Sequence, residues 1–284
     1  MRISIVIATK DRAAYLERAL RSLKRQIGAP SFEVIVVDNG STDGTPAVAQ
    51  RAQVRYVYEP EPNRGKARNR GVAQATGHLL LFCDDDVVLP PDWIAAHEGA
   101  HTANDLVVNG PILNVESYEE QPRPTLANFS RAFLCTCNVS LPKAAFEAVG
   151  GFDESFDLYG WEDTELGVRL RERGLQWRFA WSAYLWHIKL PAENSIATQA
   201  RKAVERAHMA AKFVRKQPTQ RTRLATGAHA INRIRGRYLL PDQLLAVYAG
   251  AATSEWLPPP VRSLAKAQFL DGIYTRELVR ALEE

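Results

Sequence analysis

Along the first ninety residues, apolar runs of strand character alternate with segments of helical spacing. Residues 2–8, RISIVIA, predict a buried strand, and residues 12–26 place Leu16, Ala19, Leu20 and Leu23 on one face of a helix. A second strand, EVIVV at 33–37, ends at Asp38. It is followed by NGSTDGTP, where Thr45 reads as an N-cap and Pro46 as the first helical position. VRYVY at 54–58 is a third strand, and the polar NRGKARNRG leads into a helix running to Ala75. The fourth strand, 79–83, has no polar position. Four alternations of strand and helix predict an α/β fold built on a doubly wound, mostly parallel sheet. Ligands collect at the carboxyl ends of such strands, which brings Thr9, Asp38, Glu59 and Asp84 to Asp86 to one rim.

Beyond residue 90 the alternation loosens. The pattern predicts a short helix opening at Pro90-Pro91, a strand at 105–108, a long polar loop over 114–130 and an extended stretch AFLCTCNVSL. A helix from Pro142 to Val149 stops at Gly150-Gly151, and one from Trp161 to Arg173 stops at Gly174. Two short strands follow at 176–180 and 184–188, and the remainder reads as helical. The reading divides the chain into a catalytic domain over 1–195 and a mainly helical extension over 196–284.

Composition sharpens this division. With 284 residues and 46% hydrophobic content there is material for a sizeable core. The net charge of +4 is unevenly spread, since residues 201–237 hold 11 Lys or Arg against Glu205 alone. An acidic body therefore carries a basic tail. No run approaches the roughly 20 apolar residues needed to cross a bilayer, and Ile3 to Ala8 is too short for a secretory signal. Cys83, Cys135 and Cys137 suggest no disulfide framework, and Cys135-x-Cys137 lacks a second pair to complete a zinc site. Buried thiols in a reducing cytosol are the expectation, and hence a cytoplasmic protein.

The chemistry concentrates in Asp84-Asp85-Asp86. Three carboxylates at the exit of a core strand need a positive partner, and a divalent ion carrying a phosphate ligand would supply it. Two other patterns compete with this reading. His97-Glu98-x-x-His101 has the spacing of a zinc metallohydrolase, although Gly99 weakens its helix. LLLFCDDDVV is similar to the nucleophile strand of haloacid-dehalogenase-like phosphatases, which would use Asp84 and Asp86, but their later G-D-x-x-x-D arrangement is absent.

IVIATKDR, VVDNGSTDGT, NRGKARNRG, LLFCDDD and GGFDESFDLYGWEDTELGVRLRERG occur here in the order and spacing of family 2 glycosyltransferases of the GT-A fold. The resemblance covers about residues 1 to 190. It implies a Rossmann-like GT-A domain with an inverting, metal-dependent activity that moves a sugar from a nucleoside diphosphate donor, UDP first, to a hydroxyl. It further implies Asp86 as direct ligand of Mn2+ or Mg2+, and Asp84 and Asp85 as partners of the ribose and of metal-bound water. Asp38 would read the base, with Thr9 beside it through its backbone. Arg64, Lys66 or Arg68 would lie near the nucleotide, Arg68 fitting the family pattern best. Asp163 is the implied general base, with Glu162 holding the acceptor, unless both acids only complement a helix dipole. His187 either completes the metal shell or packs beside Trp186. Phe156, Tyr159 and Trp161 either form an acceptor platform or belong to the core.

In the tail, residues 196–216 repeat Ala200, Ala203, Val204, Ala207, Ala211 and Val214 among basic side chains. Such a helix either rests on anionic lipid, near a lipid-linked acceptor, or packs on the protein. Peripheral membrane contact is therefore read over 196–237, at the inner face of the membrane. Residues 239–250 and 261–282 offer apolar faces for docking or a homodimer. Only Phe213 and Tyr238 are available near the basic stretch for base stacking, so no nucleic-acid partner is expected.

Overall fold

The computed structural model describes residues 3–190 and 195–284. The strand expected at 2–8 begins, within these limits, at Ile3, and the segment before the predicted boundary at 195 falls outside them. The chain divides into two units: 1–157 with 162–190, and 158–161 with 191–284.

In the first unit, β1 (Ile3–Thr9), β2 (Phe32–Asp38), β3 (Arg55–Tyr58) and β4 (Leu79–Cys83) alternate with α1 (Ala13–Leu23), α2 (Thr45–Ala52) and α3 (Arg64–Ala73). These are followed by β5 (Val87–Val88), α4 (Trp93–Ala100), β6 (Leu106–Asn109) and β7 (Ile112–Val115). β8 (Asn138–Pro142), α5 (Lys143–Ala148), α6 (Glu162–Glu172), β9 (Gln176–Phe179) and β10 (Leu185–Ile188) complete the unit. A seven-stranded sheet has the order β3-β2-β1-β4-β8-β6-β9, and β5-β10-β7 make a smaller one. The large sheet is parallel except for β8, which runs antiparallel to both β4 and β6.

The apolar runs are strands because both faces of this sheet are covered. Ile3, Ile5 and Ile7 pack to one side with Leu16, Leu20 and Leu23 of α1, whereas Val6, Leu80 and Phe82 pack to the other with Val72 and Leu166. α3 approaches the sheet through Gly71, where a Cβ would stand 2.5 Å from Val6 Cγ1 and 2.9 Å from Val37 Cγ2.

Several boundaries differ from the sequence expectation. Thr45 is the first helical residue of α2 rather than its cap, because Asp43 accepts from both its N–H (2.9 Å) and its hydroxyl (2.5 Å). The other oxygen of Asp43 accepts from Ala13 N–H at 2.9 Å and so serves α1, which has no side-chain cap of its own. The predicted loop 114–130 contains the end of β7 and a short 3₁₀ turn, Leu126–Asn128. Of AFLCTCNVSL only residues 138–141 are strand, since the preceding segment turns away to line the site.

The second unit is helical: α7 (Ile196–Lys216), α8 (Gln220–Thr226), α9 (Ala230–Ile234), a π-helical stretch over 235–239, α10 (Asp242–Thr253) and α11 (Pro259–Glu283). Ala207, Ala210, Ala211 and Val214 of α7 pack with Leu278 and Ala281 of α11. The C-terminal half of the apolar stripe on α7 is thus an intramolecular contact. No helix of the described residues is long and apolar enough to cross a membrane.

The α3–sheet contact sets an expectation. Gly71→Ala should overpack this interface and lower stability by about 1–3 kcal/mol, read as a reduced urea midpoint at unchanged m-value.

Candidate functional site

The site is built where β4 leaves the sheet. The whole strand is buried, and it delivers Asp85 and Asp86 to positions 5% and 6% exposed. Thr9, at the end of β1, donates its hydroxyl to Asp85 Oδ2 at 2.6 Å. Arg12, from the turn before α1, reaches Asp85 Oδ1 at 3.4 Å and Asp86 Oδ2 at 2.8 Å. Lys189, just past β10, donates to the same Asp86 oxygen at 3.1 Å. His187, within β10, sets Nε2 3.0 Å from Asp86 Oδ1.

These partners separate two neighbouring carboxylates electrostatically. Burial pushes Asp85 up to about 7 despite Arg12 and Thr9. Asp86 is also buried, but His187, Lys189 and Arg12 outweigh that cost and hold it well below the usual carboxylate range. Asp84, more open, pairs with Arg68 at 3.4 Å.

Arg68 connects the triplet to the second acidic pair. It projects from α3, buried, and its other nitrogen lies 3.6 Å from Glu162 Oε1. Glu162 and Asp163 begin α6, whose N-terminus favours negative charge. Asp163 Oδ2 accepts from Thr136 N–H at 2.8 Å and from Thr136 Oγ1 at 2.9 Å. Burial and the adjacent Glu162 push Asp163 up to about 6, against the lowering influence of Arg68 and Thr136. A carboxylate with that value is ionised at neutral pH yet basic enough to take a proton.

The remaining residues singled out from the sequence are distributed less evenly. Asp38 has no exposed surface, and its oxygens accept from Ser41 N–H and Tyr56 hydroxyl, both at 2.8 Å. Lys66 turns to Glu61 and Glu59, at 2.5 and 3.5 Å, away from the triplet. Arg64 is exposed at the first position of α3. Phe156 is 1% exposed and belongs to the core. Trp161 packs on Phe213, with its indole N–H donated to Arg206 O, within the second unit. Phe156 therefore follows the core alternative, and Trp161 packs against a helix of its own unit.

Sequence reasoning missed Arg12, Lys189, Thr136 and Asn114. The last accepts from His187 Nδ1 at 3.0 Å, which fixes the tautomer that leaves Nε2 free to ligate. Arg12 lay in view within the motif TKDR, but nothing local marks a partner more than 70 residues away.

The residues present fit a divalent cation. His187 Nε2 is buried and has no hydrogen-bond partner although it stands beside Asp86, the disposition of a ligand awaiting an ion. The zinc-hydrolase alternative does not fit. His97 is wholly buried, with Nδ1 2.9 Å from Ser140 Oγ and Nε2 2.9 Å from Asn138 Oδ1, and His101 Nε2 meets the same Ser140 at 2.7 Å. Burial lowers both imidazoles to about 4, so they are neutral members of a core hydrogen-bond network.

A cavity of about 460 Å³ is lined by Asn109, Asn128, Phe129, Ser130, Cys135 and Asn114, the partner of His187, among others. Its polar lining suits a hydroxyl-rich ligand.

Comparison with known proteins agrees with this architecture. Residues 4–149 match the model of glycosyl transferase family 2, and residues 124–195 match that of the N-terminal domain of galactosyltransferase. Validoxylamine A glucosyltransferase of Streptomyces hygroscopicus subsp. limoneus is 32% identical over 263 residues. That alignment covers 76% of this chain and 57% of the relative, so the chain spans little more than half of it. Chondroitin synthase of Escherichia coli is 23% identical, over 70% of this chain and 36% of its own length. Among solved structures, the mannosyltransferase PcManGT from Pyrobaculum calidifontis, in complex with GDP-Man and Mn2+, has a TM-score of 0.64 at 21% identity. It covers 99% of this chain and 85% of that one. S. aureus TarS 1-349 in complex with UDP-GlcNAc follows with a TM-score of 0.57, 18% identity and coverages of 98% and 90%. These structures share the fold, and the match to the family model, which also sets aside the phosphatase alternative, shows that this chain belongs to glycosyltransferase family 2.

Proposed function

We propose that this protein transfers a sugar, with inversion, from a nucleoside diphosphate donor to a hydroxyl of a glycan or lipid-linked acceptor. The observation that carries the reading is Arg68, which touches Asp84 of the triplet and Glu162 of the second acidic pair and so ties both to one cleft. UDP is the favoured nucleotide. Asp86 and His187 would hold Mn2+ or Mg2+, and such an ion supplies electrostatic stabilisation of the departing diphosphate. Arg12, Arg68 and Lys189 add fixed positive charge on the same side. Asp84 and Asp85 meet the ribose and water around the ion. Asp38 shapes the base pocket through Ser41 and Tyr56, next to Thr9, while Arg64 and Lys66 lie along the outer rim of that side.

Asp163 takes the proton of the acceptor hydroxyl as it attacks the anomeric carbon from the face opposite the diphosphate. One displacement breaks the glycosidic bond and forms the new one, which inverts the centre without a covalent intermediate. Thr136 keeps the base aimed by binding one of its oxygens twice. Glu162, held by Arg68, positions the acceptor. In the second unit, exposed Ile231, Ile234 and Tyr238 stand near Arg221, Arg223 and Arg233 along the chain. This segment, more than α7, would meet an anionic lipid surface carrying a lipid-linked acceptor.

The base assignment is tested by donor turnover. Asp163→Asn should reduce transfer by at least about 100-fold, in the range expected when a general base is lost, while nucleotide binding persists. A wild-type rate in that variant would remove Asp163 from the mechanism. In the wild type, transfer should rise with pH as Asp163 deprotonates near pH 6 and level off above it. Thr136→Val deletes a hydrogen bond that favours the carboxylate, so the acid limb of that profile should move to higher pH, with kcat falling more than KM rises. Asp86→Ala should abolish the gain in nucleotide affinity conferred by Mn2+, measured by calorimetry with UDP.

A further inference from the structure

Cys137 is the residue immediately before β8, 7% exposed, and no step above uses it. Its Sγ, a carboxylate oxygen of Asp84 and a ring nitrogen of His187 lie within 4.8 Å of one another. The three side chains come from separate places in the fold: the exit of β4, the entry to β8, and β10. Asn114 engages Nδ1 of His187, so Nε2, buried and without a hydrogen-bond partner, is the nitrogen available to a ligand. Ligand atoms around a tetrahedral ion bonded at about 2.0–2.3 Å stand about 3.5 Å apart.

We propose that Asp84, Cys137 and His187 form a site for a thiophilic divalent cation, of the class of Zn2+, Co2+ or Cd2+. The donor set decides the class. One thiolate, one imidazole and one carboxylate suit borderline-soft ions, whereas Mg2+ and Ca2+ select oxygen. On binding, the Cys137 thiol gives its proton to solvent as the sulfur–metal bond forms. His187 cannot serve this ion and a hard ion on Asp86 at once. A soft ion therefore competes with the Mn2+-loaded nucleotide and acts as an inhibitor. That competition rests on the function proposed above, but the soft-ion site stands on the side-chain geometry alone. The cysteine pattern hid the site, because its other two ligands lie far from Cys137 in sequence.

Titration of the full chain with Co2+, without nucleotide, followed by ultraviolet–visible absorption, tests the site. A thiolate-to-cobalt charge-transfer band should appear in the wild type and in Cys135→Ser, and be lost in Cys137→Ser. Asn114→Ala, which releases the imidazole, should keep the band but weaken Co2+ affinity by about 10–100-fold. No charge-transfer band in the wild type, or one that persists in Cys137→Ser, would overturn the proposal. If circular dichroism showed Cys137→Ser unfolded, the wild-type spectrum and Asn114→Ala would still decide. Thermal stabilisation of the wild type by UDP with Mn2+ is measured in parallel. Stabilisation without a thiolate band rejects the soft-ion site and leaves the glycosyl-transfer reading intact. A band without stabilisation does the reverse.

Discussion

Negative charge buried at the end of β4 is the constraint around which the first unit is organised. Isolated carboxylates in such a place would each cost several kcal/mol. They are tolerated because positive groups arrive from three separate parts of the fold. Arg12 comes from the turn after β1, Arg68 from α3, and Lys189 from just past β10. Counter-charge is thus supplied first by the protein itself, and a metal ion would join a cluster that is already balanced. The same contacts give adjacent residues different character, with Asp85 raised to about 7 and Asp86 held low. Carboxylates driven apart in this way can take separate tasks in one reaction.

Much of the fold was legible because a parallel sheet covered on both faces leaves a plain trace. The runs 3–9, 32–38 and 79–83 are continuous apolar segments, and their ends mark the rim directly. What escaped was the part set by distant partners. β8 runs antiparallel between β4 and β6, and nothing in NVSL announces its direction. Thr45 looked like a cap because local spacing is blind to Asp43, which bonds its N–H and hydroxyl. The HEGAH pattern has the spacing of a metal site, yet its imidazoles are consumed by Ser140 and Asn138 from β8.

The candidate site divides in the same way. Acidic residues stood out in the sequence because charge beside an apolar strand is unusual, and Glu162-Asp163 because it opens a helix. The basic residues were harder to choose. Of Arg64, Lys66 and Arg68, only the family resemblance favoured Arg68, which is the one that meets Asp84, while Lys66 is drawn off by Glu59 and Glu61. Thr136 and Asn114 carry no signal in sequence at all. Each acts through another residue, holding Asp163 or turning His187, and such roles become visible only when the chain is folded.

The central claim is that the strand-end carboxylates and His187 organise a cation and a diphosphate in one cleft. Crystals grown with UDP and Mn2+, with anomalous differences recorded at the manganese edge, test it most directly. The account predicts a manganese peak in contact with Asp86 and His187, with the diphosphate on its far side and Asp163 facing the same cleft. Manganese and nucleotide bound elsewhere on the molecule, with Asp86 and His187 touching neither, would contradict it.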